Sequence, residues 1–209
     1  REVDQILPLF RQAGLNVSTL KGQAATEEHF KNLSRSKERE SSPRVIHLST
    51  HGYFYPDPFL NTSFTLPGGM AHTIASADNP LIRSGLILAG GNYAWKKGEP
   101  FRPWMEDGIL TAYEIVPMDL SNTELVVLSA CESGLGDIDG NEGVYGLQRA
   151  FKIAGVRFII MSLWQVPDAA TVELMTRFYT HLLKHNRPVR TSLLQAQKEM
   201  RVEGYDPFE

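Results

Sequence analysis

Two segments of the chain bring reactive side chains to the ends of apolar runs. Residues 44–50 (RVIHLST) lead directly into His51-Gly52, and residues 124–130 (ELVVLSA) lead directly into Cys131, the single cysteine of the sequence. In an open α/β sheet the ligand crevice lies beyond the carboxyl ends of the strands, so two parallel neighbours would deliver both side chains to one edge. A thiol and an imidazole there make a Cys/His dyad, in which His51 takes the thiol proton or holds the thiolate as an ion pair. The thiolate is the nucleophile toward a carbonyl carbon. Gly52 has no Cβ, so its N–H can approach a developing oxyanion and, with the N–H of Cys131, form an oxyanion hole. A free cysteine is also among the most commonly buried residues. Against an apolar slot stands the sequence Glu132-Ser133-Gly134 that follows it, and position alone leaves nucleophile and inert cysteine side by side. His47, inside the first run, reads as a core histidine.

The elements that must position these groups follow from periodicity. Val3, Ile6, Leu7 and Phe10 recur at helical spacing and stop near Gly14; residues 16–20 then read as extended, and Thr26 can cap a helix carrying Phe30 and Leu33. Residues 34–43 are Ser, Arg, Lys and Glu without an apolar face, which predicts a solvated connection. Residues 44–50, 124–130 and 157–163 (RFIIMSL) are near-continuous apolar runs, as expected of parallel strands buried on both faces. Between the last two, Val144, Leu147, Phe151 and Ala154 share a stripe closed by Gly155, giving a strand, helix, strand crossover. Two amphipathic helices follow, at 169–184 (Val172, Met175, Phe178, Leu182) and 189–201 (Val189, Leu193, Ala196, Met200). Residues 53–117 read as irregular, with a strand at 85–89 and a short helix after Asp107, and such a stretch in a compact domain is usually functional. The expected fold is α/β: a three-layer α/β/α sandwich with a mostly parallel central sheet.

Composition bounds the partners. With 209 residues, 42% hydrophobic, and 21 Lys and Arg against 24 Asp and Glu, the chain can bury a core and carries a net charge of −3. That balance argues against direct nucleic-acid contact. No apolar run approaches the roughly 20 residues that cross a bilayer. The first ten residues lack the apolar core of a signal peptide and the lone cysteine forms no intrachain disulfide, which favours a reducing, cytoplasmic setting.

Other site chemistries fit less well. Asp137, Asp139 and Asn141 match the start of a calcium loop, yet Glu142 stands where the turn needs glycine and Gln148 replaces the bidentate acid. His181 and His185 have the i, i+4 spacing of zinc ligands, but without a catalytic Glu or third ligand a solvated helix face is the ordinary reading. Neither GxxxxGK[ST] nor GxGxxG is present. The glycines 134, 136 and 140 read as a mobile loop beside the nucleophile, so that a long thiol to imidazole distance in a resting state is compatible with catalysis. No metal and no cofactor is expected.

Six blocks carry a family resemblance: VIHLSTHGYF at 45–54, NPLIRSGLILAGGN at 79–92, DGILTAYEI at 107–115, ELVVLSACESGLG at 124–136, NEGVYGLQRAF at 141–151 and SLWQVPDAAT at 162–171. At His51-Gly52 and Ser129-Ala130-Cys131 the chain resembles the caspase and haemoglobinase group of cysteine peptidases, and specifically the CHAT-domain family; ACESG also resembles the nucleophile segment of legumains. The resemblance implies a caspase-like fold and an endopeptidase that cuts a protein or peptide substrate without metal, with His51 as acid/base and Cys131 as nucleophile. It implies an imidazole held by backbone rather than by an acidic side chain. CHAT domains commonly sit at the carboxyl end of larger chains, often after helical repeats. They are switched on by partners in bacterial signalling, developmental or defence systems, CRISPR-associated proteolysis among them.

By the same likeness a first core strand should precede residue 1 and a last one should follow residues 204–208, so residues 1–209 read as a single peptidase domain excerpted from a larger protein. The caspase signature QACRG is not matched, and aspartate specificity does not transfer. Residues 164–168 correspond in order to the segment lining the first specificity pocket, which makes Trp164, Asp168 and Ser129 the pocket candidates. Asp168 would receive a substrate Lys or Arg, or else serve as the N-cap of the following helix. Asp137, Asp139 and Glu142 add negative potential near the mouth or merely solubilise the loop. Two alternatives to the peptidase stand: a catalytically silent peptidase-like interaction module, and a cysteine hydrolase or transferase for small acyl substrates, separated from a peptidase by a closed pocket in place of an open groove.

Overall fold

The structure is a computed structural model that describes residues 2–34, 41–55, 70–129, 142–162 and 166–205, with 142–145 as backbone only. The chain divides into two compact units, Leu20–Trp164 and the pair of segments Arg1–Thr19 and Gln165–Glu209. Among the described residues no helix is long and apolar enough to cross a membrane.

The helical unit begins with α1 (Glu2–Gln12). The central unit then supplies α2 (Glu27–Lys31), β1 (Val45–Ser49), β2 (His51–Phe54), α3 (Met70–Ala75), β3 (Ser84–Ile87), α4 (Gly91–Lys97), β4 (Ile109–Thr111), α5 (Ala112–Ile115), β5 (Leu125–Ser129), α6 (Glu142–Ile153) and β6 (Phe158–Met161). The chain returns to the helical unit as α7 (Asp168–Tyr179), a π-turn at Thr180–Lys184 and α8 (Val189–Val202).

The three apolar runs form one parallel sheet in the order β1-β5-β6. Its middle strand, β5, buries Leu125, Val126, Val127 and Leu128 completely, which is why its sequence is apolar without alternation. The flanking strands differ from expectation: β1 fully buries only Ile46, and β6 leaves Phe158 exposed with the Arg157 guanidinium 5.3 Å from its ring. Strands with one ladder partner among the described residues bury less than the strand between them. Helix α6 packs Leu147, Ala150 and Phe151 into the same core, Phe151 meeting Phe30 edge to face at 6.3 Å, and Gly155 ends it with φ of 101°.

A second sheet crosses the region expected to be largely irregular over residues 53–117: β3 matches the strand expected at 85–89 and α5 the short helix expected after Asp107, while β2 and β4 were not expected. Strands β2, β3 and β4 pair antiparallel in that order, with His51 opposite Ile87 and Gly85 opposite both Tyr53 and Thr111. The fold is thus mixed α/β: the expected parallel sheet, β1-β5-β6, is accompanied by an antiparallel sheet not expected from the sequence. These strands have 4, 4 and 3 residues, too few for a period of two to stand out from the glycines and prolines around them. Tyr53, Tyr55, Ile74, Ala75, Ala94 and Ile109 close a small core over this sheet. Gly85 is required there: a Cβ would lie 2.6 Å from the Tyr53 hydroxyl and 2.5 Å from the Leu110 carbonyl.

The connection at 34–43, expected to be solvated, is pinned at its described ends. The Asp119 N–H donates to Ser34 Oγ at 2.8 Å, and Ser42 is buried, its hydroxyl accepting from Thr123 Oγ1 at 3.0 Å. These hydrogen bonds to distant loops are invisible in local sequence.

In the helical unit, Phe10 of α1 packs on Tyr179 with ring centroids 4.8 Å apart. Arg177 bonds Glu173 and both oxygens of Glu203, tying α7 to the residue after α8. His181 corrects the solvated-face expectation. It is buried, and its Nε2 lies 3.0 and 3.1 Å from the Glu199 carboxylate oxygens, which Gln195 also contacts. Hydrogen bonds from Gln195 and His181 hold the Glu199 carboxyl below its usual range. His185, on the same turn, is exposed.

Candidate active site around His51

The parallel register sets the site. Ser49, the last residue of β1, pairs with Ser129, the last of β5. Ser129 is half-buried, as is His47, which sits in β1 opposite Val127. One residue, Thr50, separates β1 from β2, and at it the chain leaves the parallel sheet for the antiparallel one. His51 therefore opens β2 and is exposed, while Gly52 is half-buried and Tyr53 and Phe54 turn into the core. His51 is thus presented at the surface on a strand separated by one residue from the parallel sheet.

The end of β3 opposite His51 is held in turn. Leu88 donates its N–H to the Gly108 carbonyl at 2.7 Å, and Ala89 donates to the Ala25 carbonyl at 2.9 Å. The Gly108 N–H donates to Glu27 Oε2 at 2.9 Å. Glu27 leads α2, which Thr26 caps as expected by accepting the His29 N–H. Around it gather Glu106 and Glu114, three carboxylates close enough to share a cation. Lys31 supplies it: its Nζ lies 2.7 Å from Glu27, 2.9 Å from Glu106 and 2.9 Å from Glu114. Glu114 also closes a capping box with Thr111 at the start of α5. Glu27 and Lys31 have the i, i+4 spacing of a helical ion pair, but their meeting with Glu106 and Glu114 joins separate segments and has no local signal.

One ammonium among three carboxylates leaves excess negative charge. Burial first, then the nearby Glu114 and Asp107, push the Glu27 carboxyl up to about 7 despite the Lys31 bond. The folded state then holds a proton that the unfolded chain releases at its ordinary value of 4.5. Glu27 contributes stability that is present below that value and is lost as pH rises through about 7. A Glu27→Gln variant keeps a carbonyl acceptor for Gly108 and does not titrate. The stability of the native chain relative to this variant, read from urea midpoints, is expected to fall from pH 5 to pH 7.5. A constant difference across that range would contradict the shift.

The remaining sequence candidates divide in two. Asp168 is the exposed first residue of α7, and the N-cap position is taken by Pro167, with no side-chain cap, so the N-cap reading of Asp168 is corrected. Proline already has the extended backbone that precedes a helix, and the aspartate falls one residue later, where its charge complements the helix N-terminus. Cys131, Trp164, the glycines 134, 136 and 140, and Asp137 and Asp139 lie outside the described residues, as does the side chain of Glu142.

Comparison with known proteins adds the family. Tetratricopeptide repeat protein 28 of Mus musculus is 36% identical over 169 residues, covering 81% of this chain and 6% of that protein. Tetratricopeptide repeat protein 28 of Homo sapiens is 35% identical over 169 residues, with the same coverages of 81% and 6%. The chain therefore spans about 6% of the length of the curated relatives it matches. No solved structure matches the chain significantly. The CHAT-domain profile matches residues 1–207, with the His51 and Cys131 segments inside it, and the chain belongs to the CHAT-domain family, a family related to the caspase-like cysteine peptidases.

Proposed function

We propose that the chain is a cysteine endopeptidase domain with Cys131 as nucleophile, His51 as acid/base, and the N–H groups of Gly52 and Cys131 as oxyanion hole. The observation that carries this reading is the register of β1 on β5. Ser49 and Ser129 are paired, and two residues further along each segment the sequence has His51 and Cys131. Neighbouring parallel strands send their continuations past the same sheet edge, which is where an α/β protein builds its site.

The chemistry runs in two halves. His51 accepts the thiol proton, and the thiolate adds to the peptide carbonyl carbon while the two N–H groups stabilise the negative oxygen. The imidazolium then gives its proton to the leaving amine, the C–N bond breaks, and a thioester remains. Water, deprotonated by the imidazole, adds to the thioester. Collapse expels the thiolate and frees the new carboxyl end.

Around this centre we propose a caspase-like three-layer fold and a protein or peptide substrate. We assign the domain to a cytoplasmic parent chain. The names of the curated relatives support a helical-repeat segment in that parent, and partner or adjoining domains would switch the site on. A second reading, a catalytically silent interaction module, is favoured by one feature. Phe101 and Trp104 are 60% and 78% exposed with Arg102 about equally close to both rings, a composition typical of protein interfaces. A peptidyl acyloxymethyl ketone pool decides between them. The peptidase is expected to become covalently modified at Cys131, seen as a mass shift, with modification lost in both Cys131→Ala and His51→Ala. Equal modification of the native chain and His51→Ala would overturn the peptidase reading.

A further inference from the structure

We infer that Thr50 is a positioning residue for His51, acting through its side-chain hydroxyl. The inference rests on the peptidase reading for its catalytic consequence, though not for its geometry. Thr50 is the sole residue between β1, which belongs to the parallel sheet, and β2, which belongs to the antiparallel one. Its Oγ1 donates a hydrogen bond to the carbonyl oxygen of Ile87, the residue that stands directly opposite His51 on β3.

The location of that bond gives it consequence. His51 is the first residue of its strand and is exposed, and strand ends are where ladders open most easily. The hydroxyl adds a tie from the residue before His51 to the residue across from it, so the start of β2 is gripped on both sides of the imidazole-bearing Cα. The acceptor is itself fixed, because Ile87 pairs with Ile109 on β4 and the next residue, Leu88, is bonded to Gly108, which the buried Glu27 carboxylate holds. Threonine suits the place for a second reason. Its branched Cβ restricts χ1, so the hydroxyl loses little freedom when it bonds. Nothing in the residue types around His51 announces this role, since the acceptor is a main-chain carbonyl 37 residues away.

The hydroxyl and the branched shape separate by substitution. Thr50→Val keeps the shape and removes the donor; Thr50→Ser keeps the donor and removes the branch; Thr50→Ala is a second variant without the hydroxyl, should valine perturb folding. Two readouts are needed, one independent of catalysis. The first is the His51 ring correlation in an NMR spectrum of histidine-labelled chain, assigned by its loss in His51→Ala and followed through a pH titration. The second is the rate of Cys131 modification by the peptidyl acyloxymethyl ketone pool. Thr50→Val and Thr50→Ala are expected to move the His51 ring signal and its titration midpoint and to slow modification about 10- to 100-fold, the scale set by small misplacements of a catalytic group. Thr50→Ser is expected to return both to within about twofold of the native chain, since the bond is remade. A His51 titration in Thr50→Val and Thr50→Ala that overlays the native one would overturn the inference, as would a serine variant as impaired as the valine. If the native chain is never modified while the ring signal moves with valine and returns with serine, the positioning role stands and the peptidase reading falls.

Discussion

His51→Ala is expected to reduce hydrolysis of a peptidyl-coumarin pool by about 1,000-fold or more, the loss typical when a general acid/base is removed from a nucleophile it activates. Two losses compound in the proposed dyad. Without an imidazolium partner the Cys131 thiol returns toward the ordinary cysteine value near 8.5, so only a few per cent is thiolate at neutral pH. Without a proton donor the amine leaves as a poor leaving group, and the tetrahedral adduct reverts to bound substrate. Cys131→Ala removes the nucleophile altogether and is expected to be as inactive as the double variant, because residues that act as one unit are not additive. The check is the hydrolysis rate of the three variants side by side in the same parent protein and activating conditions. A His51→Ala variant within a few-fold of the native rate would contradict the assigned role.

Gly108→Ala is expected to be the most damaging glycine-to-alanine change among the described residues of the central unit, costing about 3 kcal/mol or more. Its φ of 79° is left-handed, and an added Cβ would stand 2.4 Å from the Gly91 nitrogen and 2.6 Å from the Ala89 carbonyl oxygen. These neighbours are backbone and cannot swing aside. The same residue donates to Glu27 and accepts from Leu88, so any shift that relieves the clash breaks a bond on one side or the other. Gly98 supplies the control: its φ is 80°, and nothing lies within 4 Å of an added Cβ. Gly98→Ala is expected to cost about 1 kcal/mol from backbone conformation alone. Urea midpoints for the two variants separate steric conflict from backbone preference, and equal losses would show that the close approach of Gly108 to Gly91 carries no energy.

The parts of the fold legible in sequence are those whose signal is local and repeated. LVVLS at β5 is apolar at successive positions because it lies inside a sheet, and the stripe of Leu147, Phe151 and Ala154 is periodic because α6 has one buried face. Thr26 and Gly155 are punctuation whose chemistry is contained in one or two residues. Of the antiparallel sheet only β3 was legible, at 85–89; β2 and β4 escaped because they are short and are defined by partners 22 to 36 residues away, as His51 is by Ile87. His181 escaped for the same reason, since the side chain that makes its burial tolerable is Glu199, a full helix later. Lys31 with Glu27, Glu106 and Glu114 is a tertiary event, assembled from residues that look like ordinary surface charges when read singly. In the candidate site the strand ends and the exposed His51 were legible, whereas the anchor at Thr50 required the coordinates of Ile87.

The pairing of the thiol with the imidazole is most directly tested by the pH dependence of iodoacetamide alkylation. Cys131 is the only cysteine, so the whole thiol signal reports on it. In the native chain the rate is expected to rise with a midpoint at least about one pH unit below the ordinary 8.5, and in His51→Ala the midpoint is expected to return to about 8.5. Superimposable profiles for the two proteins would contradict the dyad.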